Sequence, residues 1–264
     1  MKTNQIGRPS VDQAYRIRTR AWFRAVTEAS GMNDAELEVL FGGTNSENNY
    51  TAGARPGLWG KYKKGSMCPK FKRDIHGHLS IVERVEQRFP GTAQWMTMRF
   101  WDVLSAKQMD MLEIKEVYLS LPEEIYSLIL VYPLEEPNKS LFWRRPLPNE
   151  DILRLLADMG DLNAATALLA LIKEAEATQS PDLHLKSLMY WGIFSSELQQ
   201  HSVLAPLMAE ITALVEKKYL GLYYPFSSGG YRQTNSATMR EIWQLSLEEV
   251  DEHVQRTTVS GKPV

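Results

Sequence analysis

Apolar positions recur at helical spacing along most of this chain, and polar or glycine-rich stretches punctuate them. Over Ser10 to Ala29, the residues Ala21, Trp22, Ala25, Val26 and Ala29 form a stripe at i, i+1, i+4, i+5 and i+8. That spacing predicts an amphipathic helix, stopped at Ser30-Gly31. Arg16, Arg20 and Arg24 recur every four residues and line one flank of it. Asn33-Asp34-Ala35-Glu36 reads as a capping box, with a side-chain acceptor at the N-cap and Glu three positions on. It opens a short helix expected to bury Leu37, Leu40 and Phe41. Gly42 to Ala54 is rich in Gly and Asn and reads as a loop. Pro56 suits the first turn of the next helix and Gly65 its C-terminal cap. Leu58, Trp59 and Tyr62 fall on one side of that helix, while Lys61 and Lys64 share another. Ser80-Ile81-Val82-Glu83 is a second capping box, and Phe89-Pro90-Gly91 ends the helix it opens.

The rest of the chain continues the same way. Ile114–Leu121, Pro122–Val131, Asn149–Met159, Leu162–Ala177, Asp182–Gln199, Val203–Tyr219 and Ser236–Val254 all carry 3.6-residue patterns. The connectors are Pro133–Pro148 and Gly221–Gly230, and no stretch reads as a sheet. The expected fold class is all-α, with a helix-turn-helix-like N-terminal domain followed by a larger helical domain. The boundaries fall at 1–10 for a flexible N-terminus, 11–103 for the first domain, 104–255 for the second and 256–264 for a disordered tail.

Charge changes this picture more than composition does. The bulk values, 44 % hydrophobic and 23 % charged residues, are those of an ordinary globular protein. Residues 1–74, however, carry 13 Lys and Arg against 7 Asp and Glu, whereas residues 75–264 carry 17 against 25. A net charge of −2 thus conceals a basic N-terminal third, which points to a polyanionic partner. Lys61, Lys63, Lys64, Lys70, Lys72 and Arg73 lie within thirteen positions and could neutralise a run of phosphates. Lys63 and Lys64 also suit the negative end of a helix dipole without any partner. A single cysteine, Cys68, excludes an internal disulfide framework. The polar Met1-Lys2-Thr3-Asn4-Gln5 start lacks the apolar run of a signal peptide, and no segment reaches membrane-spanning length, so a cytoplasmic location is expected.

The order of elements resembles the Cro/C1-type (XRE-like) helix-turn-helix family over roughly Arg16 to Phe89. The residues that carry the resemblance are Asp34-Ala35-Glu36-Leu37-Glu38 and the run from Trp59-Gly60-Lys61-Tyr62 through Lys63-Lys64-Gly65 to Pro69. The resemblance implies a motif core of Leu37, Leu40, Leu58, Trp59 and Tyr62, and a recognition helix whose base-reading positions lie near Arg55–Leu58. It implies double-stranded DNA as partner, with Arg55 directed at a base and Lys61, Lys63, Lys64, Lys70 and Lys72 holding the backbone. The layout implied is that of a bacterial or phage regulator, with residues 104–255 serving self-association, sensing or a protein partner. The thirteen residues between the motif helices, and the lack of Gln or Asn near Arg55–Leu58, keep a second reading open. In it the chain is a non-catalytic adaptor in a mobile-element or phage-defence complex, and the motif makes protein contacts.

Other constellations carry less. His76-Gly77-His78 with Cys68 lacks the second cysteine or tight histidine pair of a structural zinc site, so no metal is expected. The pairs Glu123-Glu124, Glu135-Glu136 and Glu248-Glu249 are adjacent residues that a helix points about 100° apart, which does not make an acid/base dyad. Trp143-Arg144-Arg145 suits a surface cation–π contact. Nothing nominates a nucleophile or a cofactor, so no enzyme activity is expected. A catalytic alternative would need His184, His201 or the carboxylates near Asp158-Asp161 gathered in one pocket.

Overall fold

The structure is a computed structural model that describes residues 12–41, 57–71, 73, 75–106, 108–130, 150–219, 223–225 and 231–233. The stretches 1–10, Gly42–Ala54 and Pro133–Pro148, the triplet at 143–145, the helix expected at 236–254 and the C-terminal tail fall outside them. Within the described residues the fold is all-α apart from one short antiparallel ribbon. The chain divides into two compact units, residues 1–101 and residues 102–264.

The first unit is organised around α1 (Gln13–Ser30). Asp12 caps it by accepting the Ala14 N–H at 2.8 Å, and Gly31 ends it in the left-handed region, donating to the Thr27 carbonyl. Ala14, Ile17, Thr19, Ala21, Trp22, Phe23, Ala25 and Val26 are buried, so α1 is enclosed on most of its circumference. Ala29, expected in the apolar stripe, is exposed because it lies in the last turn. Then come α2 (Asp34–Phe41), α3 (Leu58–Lys63), α4 (Ile81–Arg88) and α5 (Gln94–Thr97). Both expected capping boxes form: Asn33 with Glu36 before α2, and Ser80 with Glu83 before α4. Leu40 is a correction. It is 42 % exposed, while Leu37 and Phe41, one turn apart, supply the buried edge of an eight-residue helix too short to bury a wider face.

The second unit begins within α6 (Arg99–Ser105) and continues through α7 (Met111–Leu119), α8 (Glu123–Ile129), α9 (Glu150–Met159), α10 (Leu162–Thr178), α11 (Pro181–Leu198) and α12 (Met208–Tyr219). Its centre is α10, buried without a break from Ala164 to Ala175. Such a helix is buried all round, which is why its sequence shows little amphipathic contrast. A 3₁₀ turn at Ala205–Leu207 takes the place of the first turn of the helix expected over Val203–Tyr219, where Pro206 withholds its N–H. An irregular connector is expected over Gly221–Gly230, yet Tyr223–Pro225 pairs with Tyr231–Gln233, Tyr224 opposite Arg232. Strands of three residues are too short for a period-2 pattern to declare itself.

Charged groups sit inside this second unit. Lys173 is buried and places Nζ 2.9 Å from Glu176 Oε2, and buried Glu174 accepts the Tyr118 hydroxyl at 2.8 Å. Nearby His184 is fully buried, and burial followed by the Lys173 charge lowers its pKa to about 4. A folded pKa below the ordinary value of about 6.5 means the native state resists the proton. The resulting stability is complete above pH 6.5 and drains away as pH falls towards 4. The shift corresponds to about 3 kcal/mol for this one group. A urea series between pH 7 and pH 4 is expected to show that loss, reduced in His184→Gln; equal slopes for both chains would count against it.

Candidate nucleic-acid interface

The third helix is held by aromatic packing rather than by its own propensity. Six residues with Gly60 among them make a poor isolated helix. Trp59 is fully buried and stacks on Trp22, centroids 5.4 Å apart and planes 20° from parallel. Tyr62 meets Trp22 edge-on at 5.5 Å, and Phe41 packs against Trp59 at 5.7 Å. Burial, with Cys68 and Glu38 adding to it, pushes the Tyr62 phenol up to about 12, so it stays neutral. Leu58 is half-buried at the edge of this cluster.

Both ends of α3 are closed by devices the short helix lacks internally. Gly57 has no side chain with which to cap; instead Glu38, from α2, accepts the Trp59 N–H at 2.9 Å. At the other end the Gly65 N–H donates to the Tyr62 carbonyl and the Ser66 N–H to the Lys61 carbonyl. That pair of bonds is a Schellman motif, and it requires Gly65 to adopt φ of 64°. A Cβ on Gly65 would stand 2.6 Å from the Arg16 carbonyl oxygen of α1, a backbone atom that cannot swing aside. Gly65→Ala is therefore expected to destabilise the first unit by about 2 kcal/mol or more, seen as a lower thermal midpoint. A wild-type melt for this variant would mean α3 does not rest on α1 at this point.

The cations distribute unevenly. Lys64 and Lys70 are exposed and Lys61 is half-exposed. Lys63 is exposed but tied: its Nζ lies 3.1 Å from Asp34 Oδ1, and that hydrogen bond holds the Asp34 carboxyl below its usual range. Arg73 is likewise engaged, with Nε 2.9 Å from Glu83 Oε1. Arg55 and Lys72 lie outside the described residues. Lys70 is presented by a chain pinned on both sides, with Pro69 buried and Phe71 half-buried. Phe71 itself is held by Arg18, whose guanidinium sits 5.1 Å from the Phe71 centroid and 4.4 Å from that of Tyr15. The same guanidinium donates to Cys68 Sγ at 3.6 Å.

Sequence reasoning missed the Glu38 cap, the Asp34–Lys63 pair and the Arg18 clamp. It also missed a cleft of about 360 Å³ floored by Phe71, Leu79, Val82 and Ala93 and edged by Arg73 and Glu83. The His76 and His78 rings lie 5.9 Å apart, and no group of three or more metal-binding side chains occurs among the described residues. The groups named for a catalytic alternative do not share one opening: His184 is sealed inside the second unit, while His201, Asp158 and Asp161 are exposed. No helix among the described residues is long and apolar enough to cross a membrane. Compared with known protein families, curated proteins and solved structures, the chain matches none.

Proposed function

We propose that the first unit is a duplex-DNA-binding module of a regulator-type protein, and that the second unit serves self-association or sensing. One observation carries this reading. Trp59 and Tyr62 turn one side of α3 into the core, and Lys61, Lys64 and, beyond the cap, Lys70 reach solvent. Such a rigidly seated cationic edge loses little conformational freedom when it neutralises phosphates, and each contact releases counterions. Lys63 contributes less than its neighbours because Asp34 already neutralises it.

The test is a fluorescence titration of the full chain against a labelled random duplex at 50 and 200 mM salt. Binding is expected to weaken steeply with salt. Lys61→Glu/Lys64→Glu is expected to lower affinity by at least about tenfold and flatten the salt slope by about 2. Unchanged affinity and slope in that variant would refute the assignment.

The adaptor reading keeps a specific observation on its side. Glu38 places a carboxylate at the N-terminus of α3, and Asp34 stands beside Lys63, so negative charge flanks the edge that a phosphate would approach. A chain that ignores duplex yet remains in a stoichiometric complex when purified from its native cells would favour that reading.

A further inference from the structure

The exposed strip of α1 and the end of α3 meet. Around α1, the buried positions occupy all directions but one; the strip left outside contains Gln13, Arg16, Arg20, Arg24 and Thr27. Arg16 is exposed, and Arg20 is half-exposed one turn further on, on the same face. Gly65 abuts this strip: the position of its absent Cβ lies 2.6 Å from the Arg16 carbonyl oxygen and 3.2 Å from Arg20 Cδ. Lys64, the residue before Gly65, is exposed. The glycine therefore brings the lysine end of α3 against the arginine row of α1, joining cations that are more than forty residues apart in sequence.

We infer that Arg16 and Arg20 form a second phosphate-contacting row, continuous with Lys64, so that the nucleic-acid surface extends from α3 onto α1. The inference rests on the duplex-binding reading and adds residues that the helix-turn-helix resemblance does not assign. Three features fit this role. Arginine presents a planar fork that matches phosphate oxygens bidentately. A helix fixed on its other sides by packing holds the row at a constant spacing. The lack of a side chain at Gly65 lets the backbone at the end of α3 close directly onto α1 beside Arg16 and Arg20.

The experiment is the salt titration of the full chain against random duplex, run on wild type, Arg16→Gln/Arg20→Gln, Arg16→Lys/Arg20→Lys and Lys61→Glu/Lys64→Glu. Gln keeps helix-forming ability and side-chain length, and circular dichroism checks that the fold persists. The Gln pair is expected to weaken binding by about tenfold at 200 mM salt and to reduce the slope by about 2, roughly 0.9 per lost contact. The Lys pair, which keeps the charge, is expected to retain the slope. A Gln pair that binds like wild type while the α3 variant is impaired would overturn this inference and leave the duplex-binding reading standing. A wild-type chain with no salt-dependent duplex binding would overturn both. Should the Gln pair lose its fold, the comparison of the Lys pair with single Arg16→Gln gives the same reading, since Arg16 is the more exposed of the two.

Discussion

Trp59→Ala is expected to destabilise the first unit by about 3–5 kcal/mol, among the largest effects any single truncation here can have. Trp59 is fully buried, and its ring touches four aromatic neighbours from three segments: Trp22 and Phe23 on α1, Phe41 on α2 and Tyr62 on α3. Removing it opens a cavity at the point where α3 is attached, and α3 has too few residues to persist without that attachment. Trp59→Phe separates packing from polarity. The indole N–H of Trp59 is buried and makes no hydrogen bond among the described residues, so Phe loses ring area but removes an unsatisfied donor. Its cost is expected to stay below about 1.5 kcal/mol. Urea unfolding followed by circular dichroism checks both variants. If Trp59→Ala unfolds at the wild-type urea concentration, α3 is not anchored by this residue.

Lys173→Ala is the second large effect, about 3 kcal/mol and confined to the second unit. Lys173 is 2 % exposed on the central helix α10, and its counter-ion Glu176 is 18 % exposed. Burial raises the Glu176 carboxyl above its usual range even with Lys173 present. Deleting the ammonium removes the hydrogen-bonded partner of that carboxylate and opens a cavity, while the Lys218 charge and the residual water contact of Glu176 keep the cost at the lower end of the range for buried pairs. Replacing both partners by apolar residues, Lys173→Met/Glu176→Leu, is expected to recover most of the loss, because the carboxylate that Lys173 would leave behind is removed with it. A single variant as stable as wild type would show that the pair is not a structural element of α10.

What was legible in the sequence was local. The capping boxes at Asn33/Glu36 and Ser80/Glu83 need only residues three apart, and the stop at Gly65 is visible in its neighbours. The inward side of α3 followed from Trp59 and Tyr62 being three apart on a helix. The Asp110–Glu113 capping box before α7 is equally local, and with it the helix starts at Met111, ahead of the Ile114 expected from periodicity. The illegible part depends on segments distant in sequence. Glu38 meets the Trp59 N–H across 21 positions, Lys63 meets Asp34 across 29, and Arg18 reaches Cys68 across 50. No spacing rule links such residues; tertiary packing brings them together. Leu40 illustrates the same limit in reverse. Hydrophobic character placed it in the motif core, but an eight-residue helix turned its Leu37/Phe41 edge inward and left Leu40 and Val39 outside.

These distant contacts also bear on the candidate interface. Charge counting weights all six cations between Lys61 and Arg73 equally, whereas among the described residues Lys63 and Arg73 are tied to carboxylates. Such exposed pairs are individually weak, typically below about 1 kcal/mol, so a phosphate can compete for them. The structure also supplies cations that counting had set apart, because Gly65 lays the end of α3 against Arg16 and Arg20.

Lysine acetylation footprinting, with and without random duplex, tests most directly whether the seated α3 presents its amines to a phosphate backbone. Duplex is predicted to protect Lys61, Lys64 and Lys70 strongly and Lys63 only partly, while Lys115 and Lys186 in the second unit react as before. Identical reactivity of Lys61, Lys64 and Lys70 in the two samples, under salt conditions where the chain is saturated with duplex, would contradict the account.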